Sequence, residues 1–167
     1  VATYNLNKQQ EVKTTETSDE PSIHFTPTKI ELTDFVLPNL FPEQENFSKK
    51  DLRGKFSLVN FFASWCSTCH AEHEILLRLE NLGIVDLYGV AWHDIPENTR
   101  EYLAKNRNPF KKIASDTKGS LGQEAGIYAI PESWIVDDNG NVVMRFRGNL
   151  QDFSIREIQE FLKSVNS

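Results

Sequence analysis

Cysteine is scarce in this chain: 167 residues carry two, three positions apart, and only one methionine. So small a number excludes the secreted scaffold stapled by several disulfides, which needs more cysteines at longer spacings. No apolar run approaches the length needed to cross a bilayer. Positive charge is also short. With 18 Lys and Arg against 24 Asp and Glu the net charge is −6, and the basic residues are scattered among acidic ones. Nucleic acid is therefore excluded as the main partner, since phosphate binding needs clustered cations. What is present, 39% hydrophobic and 25% charged residues, is the composition of one globular domain with one core.

Residues 1–24 are polar and aperiodic, with Gln9-Gln10-Glu11-Val12-Lys13-Thr14 typical of an unfolded tether. Folded sequence is expected from Phe25 onward, giving a tether over 1–24 and one domain over 25–167. Phe56 to Ala63 is almost wholly apolar, as in a strand covered on both faces. A helix should follow from Cys66 to about Asn81, with Ile75, Leu76, Leu79 and Leu82 at helical spacing and Gly83 as its stop. Ile84–Ala91 reads as a second strand, and Pro96–Asn106 as a helix opened by Pro and an acid. Short elements are expected at 112–115 and 120–125. Two strands, 132–137 and 141–146, flank the turn Asp138-Asn139-Gly140. An amphipathic helix over Ile155–Val165 closes the chain. The order implies a mixed sheet flanked by helices.

Chemistry concentrates in Trp65-Cys66-Ser67-Thr68-Cys69. A bridge across so short a loop does little for stability, so a purely structural disulfide is the weaker reading. Cys66, at the start of a helix, faces unpaired N–H groups that favour a thiolate, which makes it the better nucleophile. Cys69, one turn inside, serves as the resolving thiol that attacks the mixed disulfide. Cys66 to His70 also spells the Cys-x-x-Cys-His attachment signature of c-type haem, with His70 as axial ligand and Met144 the single methionine. That reading gives no role to the flanking buried strand. A zinc site from Cys66, Cys69, His70 and His73 has suitable ligands, but they do not converge easily from one helix. The second signal is Gly126-Ile127-Tyr128-Ala129-Ile130-Pro131-Glu132-Ser133. A Pro opening a buried strand lacks a ladder donor, and either a trans Pro at an edge or a cis Ile130–Pro131 bond accounts for it.

Strand–Trp-Cys-x-x-Cys–helix followed by Gly-Ile-x-x-Ile-Pro–strand–turn–strand–helix resembles the thioredoxin superfamily over residues 25–167. The finer resemblance is to the CcmG/DsbE-type, TlpA-like thiol:disulfide interchange proteins of cytochrome c maturation. Leu58-Val59-Asn60-Phe61-Phe62-Ala63-Ser64-Trp65-Cys66, Cys69-His70-Ala71-Glu72-His73 and Pro131-Glu132-Ser133 carry it. The dipeptide Ser67-Thr68 departs from the Pro-Thr usual there, and Trp134 stands where Phe is common.

The resemblance implies a thioredoxin-like three-layer α/β fold with an N-terminal β extension and a central insert. It implies that Pro131 is a cis proline beside the cysteines, with Ile130 and Trp65 in the substrate groove. Glu72 and Glu132 become acidic modulators flanking the cysteines, and Asn60 a buried polar group where ordinary thioredoxins carry Asp. It implies no cofactor beyond a redox-active Cys66–Cys69 disulfide and no metal. The implied activity is periplasmic disulfide reduction; a general or DsbA-like oxidising oxidoreductase is the alternative. The implied partners are apocytochrome c or a maturation protein, and a membrane thiol carrier of DsbD/CcdA type as electron donor. The implied location is the periplasmic side of the bacterial inner membrane, held by an N-terminal anchor.

Overall fold

The computed structural model describes residues 25–166; the tether expected over 1–24 lies outside them. Among the described residues eight strands and five α-helices follow in order, with a 3-10 turn at Lys49–Leu52; β1 (Thr26–Glu31), β2 (Val36–Leu37), β3 (Phe47–Ser48), β4 (Ser57–Phe62), α1 (Ser67–Ala71) and α2 (His73–Leu82) come first. After them run β5 (Asp86–Trp92), α3 (Pro96–Lys105), β6 (Lys112–Asp116), α4 (Ser120–Glu124), β7 (Glu132–Val136), β8 (Asn141–Arg147) and α5 (Asp152–Asn166). Six strands form one sheet in the order β1-β8-β7-β4-β5-β6, and β2 pairs with β3 separately. β4, β5 and β6 run parallel, while β7, β8 and β1 are antiparallel to their neighbours. This is the mixed, helix-flanked sheet expected, with β1 as the N-terminal extension on its edge.

The apolar run at β4 forms because a central strand is buried on both faces, and all six of its residues are. Successive side chains alternate between faces. Leu58 and Phe62 join a core with Leu76 and Leu79 of α2 and Ile155 and Ile158 of α5. Val59 and Phe61 join a second core with Trp134, Leu121 of α4 and the N-terminal Leu32 and Phe47. Phe61 and Trp134 meet with ring centroids 4.6 Å apart. The Asn-Gly turn closes β7 to β8, with Asp137 Oδ1 accepting from Asn139 N at 3.0 Å and Asn141 N at 2.9 Å.

One expectation is corrected. The single helix read from Cys66 to about Asn81 is two helices that break at Glu72, whose φ is −94° and ψ 1°. Glu72 N–H donates to Cys69 O at 3.3 Å, tightening the turn and leaving Thr68 O without its usual helical donor. Gly83 ends α2 in the left-handed region at φ 66°, where a residue without Cβ is unstrained.

Candidate active site

Strand β4 delivers Cys66 to the first turn of α1, and the loop between them is tied down on both sides. Asp94, buried after β5, accepts from Ser64 N at 2.7 Å and Ser64 Oγ at 2.9 Å. It also accepts from Ile95 N at 2.9 Å and Thr99 Oγ1 at 2.6 Å. The next residue, Trp65, is 58% exposed and donates Nε1–H to His93 O at 3.0 Å. His93 holds that carbonyl in place from a left-handed backbone, φ 50°.

Cys66 and Cys69 form a disulfide, and both are buried. Cys66 caps α1: Cys69 N–H donates to its Sγ at 3.2 Å, and the Thr68 hydroxyl lies 3.3 Å from the same sulfur. The Cys69 amide at the helix start thus points at the sulfur that would carry negative charge on reduction. Across from it the Ile130–Pro131 bond is cis, and Ile130 O stands 4.0 Å from Cys66 Sγ. Tyr128, two residues before Ile130, is 75% exposed, with the Arg147 guanidinium 5.1 Å from its ring centre.

Three consecutive residues after β8 join the parts. Gly148 N donates to Pro131 O at 3.0 Å, Asn149 Nδ2 to Thr68 O at 3.0 Å, and Leu150 N to Glu72 Oε1 at 2.8 Å. Asn149 supplies the donor that Thr68 O loses at the helix break.

The two carboxylates read from sequence as flanking the cysteines are separated by the sheet. Glu72 is buried on the cysteine side, accepting from Leu150 N and, at Oε2, from Asn60 Nδ2 at 2.8 Å. Asn60 Nδ2 also donates to Ser133 Oγ at 3.0 Å, across the β4–β7 register that pairs these two residues. Burial pushes the Glu72 carboxyl up to about 7; the bonds from Leu150 and Asn60 oppose the rise without cancelling it. Tyr102 of α3 is raised too, first by its own burial and then by the charge of Glu72.

Glu132 shares its face with Trp134 and Val136 in the opposite core. It is ion-paired to buried Arg145, accepts from Trp134 Nε1 at 2.9 Å, and has Arg147 Nε at 3.6 Å. Arg145 in turn donates to Ala125 O at 2.6 Å. Glu132 therefore anchors the cis-proline loop from behind, and its charge is compensated locally.

His70 and His73 turn to backbone carbonyls: His70 Nε2 lies 3.0 Å from Ser64 O, His73 Nε2 2.6 Å from Arg107 O, and both rings pack on Tyr102. Met144 is fully buried in β8. Asp94, Asn149, Leu150 and Arg145 are site-building residues that sequence reasoning missed. Of these, only Asp94 carried a signal, an acid just ahead of the Pro96 helix.

The fold and this constellation define a thioredoxin-like domain bearing a Cys-x-x-Cys disulfide opposite a cis proline. The chain belongs to the Redoxin family, which it matches over residues 27–161. It is 36% identical over 118 residues to the thiol:disulfide interchange protein HelX of Rhodobacter capsulatus, covering 70% of this chain and 66% of that one. It is 32% identical over 123 residues to the thiol:disulfide interchange protein DsbE of Pseudomonas fluorescens, covering 74% and 68%. The chain thus spans about two thirds of the length of these curated relatives. Among solved structures, a DsbF homologue from Corynebacterium diphtheriae shares the fold with a TM-score of 0.70 at 12% identity, over 85% of this chain and 95% of that one. The dsbF of MTB, in mixed oxidised and reduced forms, gives a TM-score of 0.62 at 28% identity, over 73% and 91%.

Proposed function

We propose that this protein is a thiol–disulfide oxidoreductase acting as a disulfide reductase, with Cys66 as attacking and Cys69 as resolving thiol. The observation that carries the reading is the Cys66–Cys69 disulfide at the β4–α1 junction, with Cys69 N–H on Cys66 Sγ and Ile130 O beside it. In the reduced protein the Cys66 thiolate attacks one sulfur of a substrate disulfide. A mixed disulfide forms and one substrate thiolate leaves. Cys69, deprotonated, then attacks Cys66 Sγ, so that the second substrate sulfur leaves as a thiolate and Cys66–Cys69 is re-formed. Two electrons pass to the substrate. We assign the Cys69 proton to Glu72, a reading supported by its position three residues after Cys69 and by a buried carboxyl pushed up to about 7. The groove between Trp65 and the Ile130–Pro131 loop receives an extended substrate segment.

Likeness to interchange proteins named HelX and DsbE supports a role in cytochrome c maturation. The substrate is then the oxidised apocytochrome disulfide or a maturation partner, with electrons from a membrane thiol carrier of DsbD/CcdA type. Residues 25–167 form the catalytic domain, tethered by 1–24 on the periplasmic side of the inner membrane. No helix of the described residues is long and apolar enough to cross a membrane. The test is a pair of variants. Cys66→Ala should abolish insulin reduction, and Cys69→Ala should accumulate a mixed disulfide seen on non-reducing gels. Full activity of Cys66→Ala would refute the mechanism, and a strongly oxidising equilibrium potential against glutathione would reassign the protein as a DsbA-like oxidant.

A further inference from the structure

Asn60 is fully buried, and its amide is used on one side only. Both Nδ2 protons are donated, one to Glu72 Oε2 and one to Ser133 Oγ, while Oδ1 has no hydrogen-bond partner among the described residues. A buried acceptor left unpaired beside a fully used amine is a costly arrangement, and it calls for a reason. The reason lies in what Asn60 faces. An ionised Glu72 offers only acceptors, so the amide must turn its NH2 group toward it. A protonated Glu72 offers an O–H donor at the same place. If the amide then rotates by half a turn about its Cβ–Cγ bond, Oδ1 accepts from the Glu72 O–H and from the Ser133 hydroxyl. Ser133 suits either state because a hydroxyl both accepts and donates.

We propose that the Asn60 side-chain amide turns over with the protonation of Glu72, making Asn60 and Ser133 a two-position switch that keeps a proton on or off that carboxyl. Asn60 is a positioning residue in this scheme; it touches neither substrate nor sulfur. An Asn suits the task where an Asp would not, because a second carboxylate on Glu72 would repel it. The titratable groups around Glu72 are few. Tyr102 of α3 feels its charge, His70 and His73 on the adjoining helices stack on the Tyr102 ring, and Arg78 of α2 pairs with Asp152 of α5. Leu150 presents only its backbone N–H, and the two cysteines do not titrate while bonded to each other. Glu132 and its arginines lie beyond the sheet.

The switch deepens the proposed exchange reaction, since it sets when Glu72 can take a proton, but its test uses the resting disulfide form and no substrate. It therefore fails or holds separately from exchange activity. NMR of the oxidised protein from pH 5 to 9 follows the Glu72 carboxyl carbon and the Asn60 amide protons together. The expected result is one shared midpoint, with the Asn60 protons moving upfield as Glu72 protonates and Nδ2 turns away from both acceptors. Asn60 signals that stay fixed while Glu72 titrates would overturn the proposal, as would a Glu72 carboxyl that keeps one state throughout. The two Asn60 protons give a second reading. A turning amide takes both off their acceptors, so the proton bonded to Ser133 Oγ moves upfield along with the one bonded to Glu72 Oε2. A rigid amide leaves the proton on Ser133 Oγ in place, and a shift confined to the proton facing Glu72 would overturn the switch.

Discussion

Replacing Glu72 with Gln removes a carboxyl that the fold holds in its neutral form far more readily than water does. Its pKa is raised from 4.5 to about 7, chiefly by burial. A carboxyl whose folded pKa lies above its unfolded value favours folding fully below the unfolded pKa, and that contribution is lost as pH rises through the folded pKa. Glu72 is 1% exposed, so solvent screening takes little from the effect. From 4.5 to about 7, at about 1.4 kcal/mol per pH unit, wild-type protein should lose about 3 kcal/mol through this one group between pH 4 and pH 9. Glu72→Gln has no charge to acquire. It carries a fixed cost, since one of the donors from Leu150 and Asn60 meets an NH2 group, but that cost does not vary with pH. Urea denaturation of both oxidised proteins at each pH unit from 4 to 9 gives the difference directly, and the contributions of other carboxylates cancel in it. The variant should gain about 3 kcal/mol on wild type across the range, with the rise centred between the two pKa values. Parallel stability profiles would refute the claim that burial governs Glu72.

Arg145→Met leaves Glu132 charged and buried behind the cis-proline loop, and should cost about 3–5 kcal/mol in chemical denaturation. Adding Glu132→Gln to it should recover part of that loss, because the uncompensated charge is then gone. Asp94→Ala strips the acceptor from Ser64 N, Ser64 Oγ, Ile95 N and Thr99 Oγ1. It should lower stability by about 2–3 kcal/mol and shift the fluorescence of Trp65 as its loop loosens. Gly119→Ala places a Cβ 2.5 Å from His93 Nε2 at a backbone with φ 70°, and should cost about 1–2 kcal/mol in thermal or urea unfolding.

The cysteine pair and the strand before it were legible because each depends on neighbours in sequence: an apolar run makes β4, and a Cys at the helix start caps it. The cis bond at Pro131 was implied by the family resemblance, since the residues alone fit a trans Pro at a strand edge as well. The helix break at Glu72 was not legible. The apolar spacing at Ile75, Leu76, Leu79 and Leu82 begins after it, and the carboxyl at the break is held by a backbone N–H from Leu150, 78 residues away. The separation of Glu72 from Glu132 was hidden for a different reason. A strand buried on both faces shows no alternation of polar and apolar residues, so its pattern does not say which side Glu132 occupies. Asp94 could be read as an acid near a helix start, yet its main partner, Ser64, lies 30 residues earlier. Long-range polar contacts built this site, and composition and periodicity do not report them.

The link through Gly148, Asn149 and Leu150 also has a consequence for synthesis. These residues follow both cysteines by about eighty positions, and they supply the contacts to Pro131, Thr68 and Glu72. A chain emerging from the ribosome therefore displays both thiols well before it holds the segment that seats them. During that interval Pro131, Thr68 and Glu72 lack those three partners, while the local cap of Cys69 N–H on Cys66 Sγ needs only its own turn of helix.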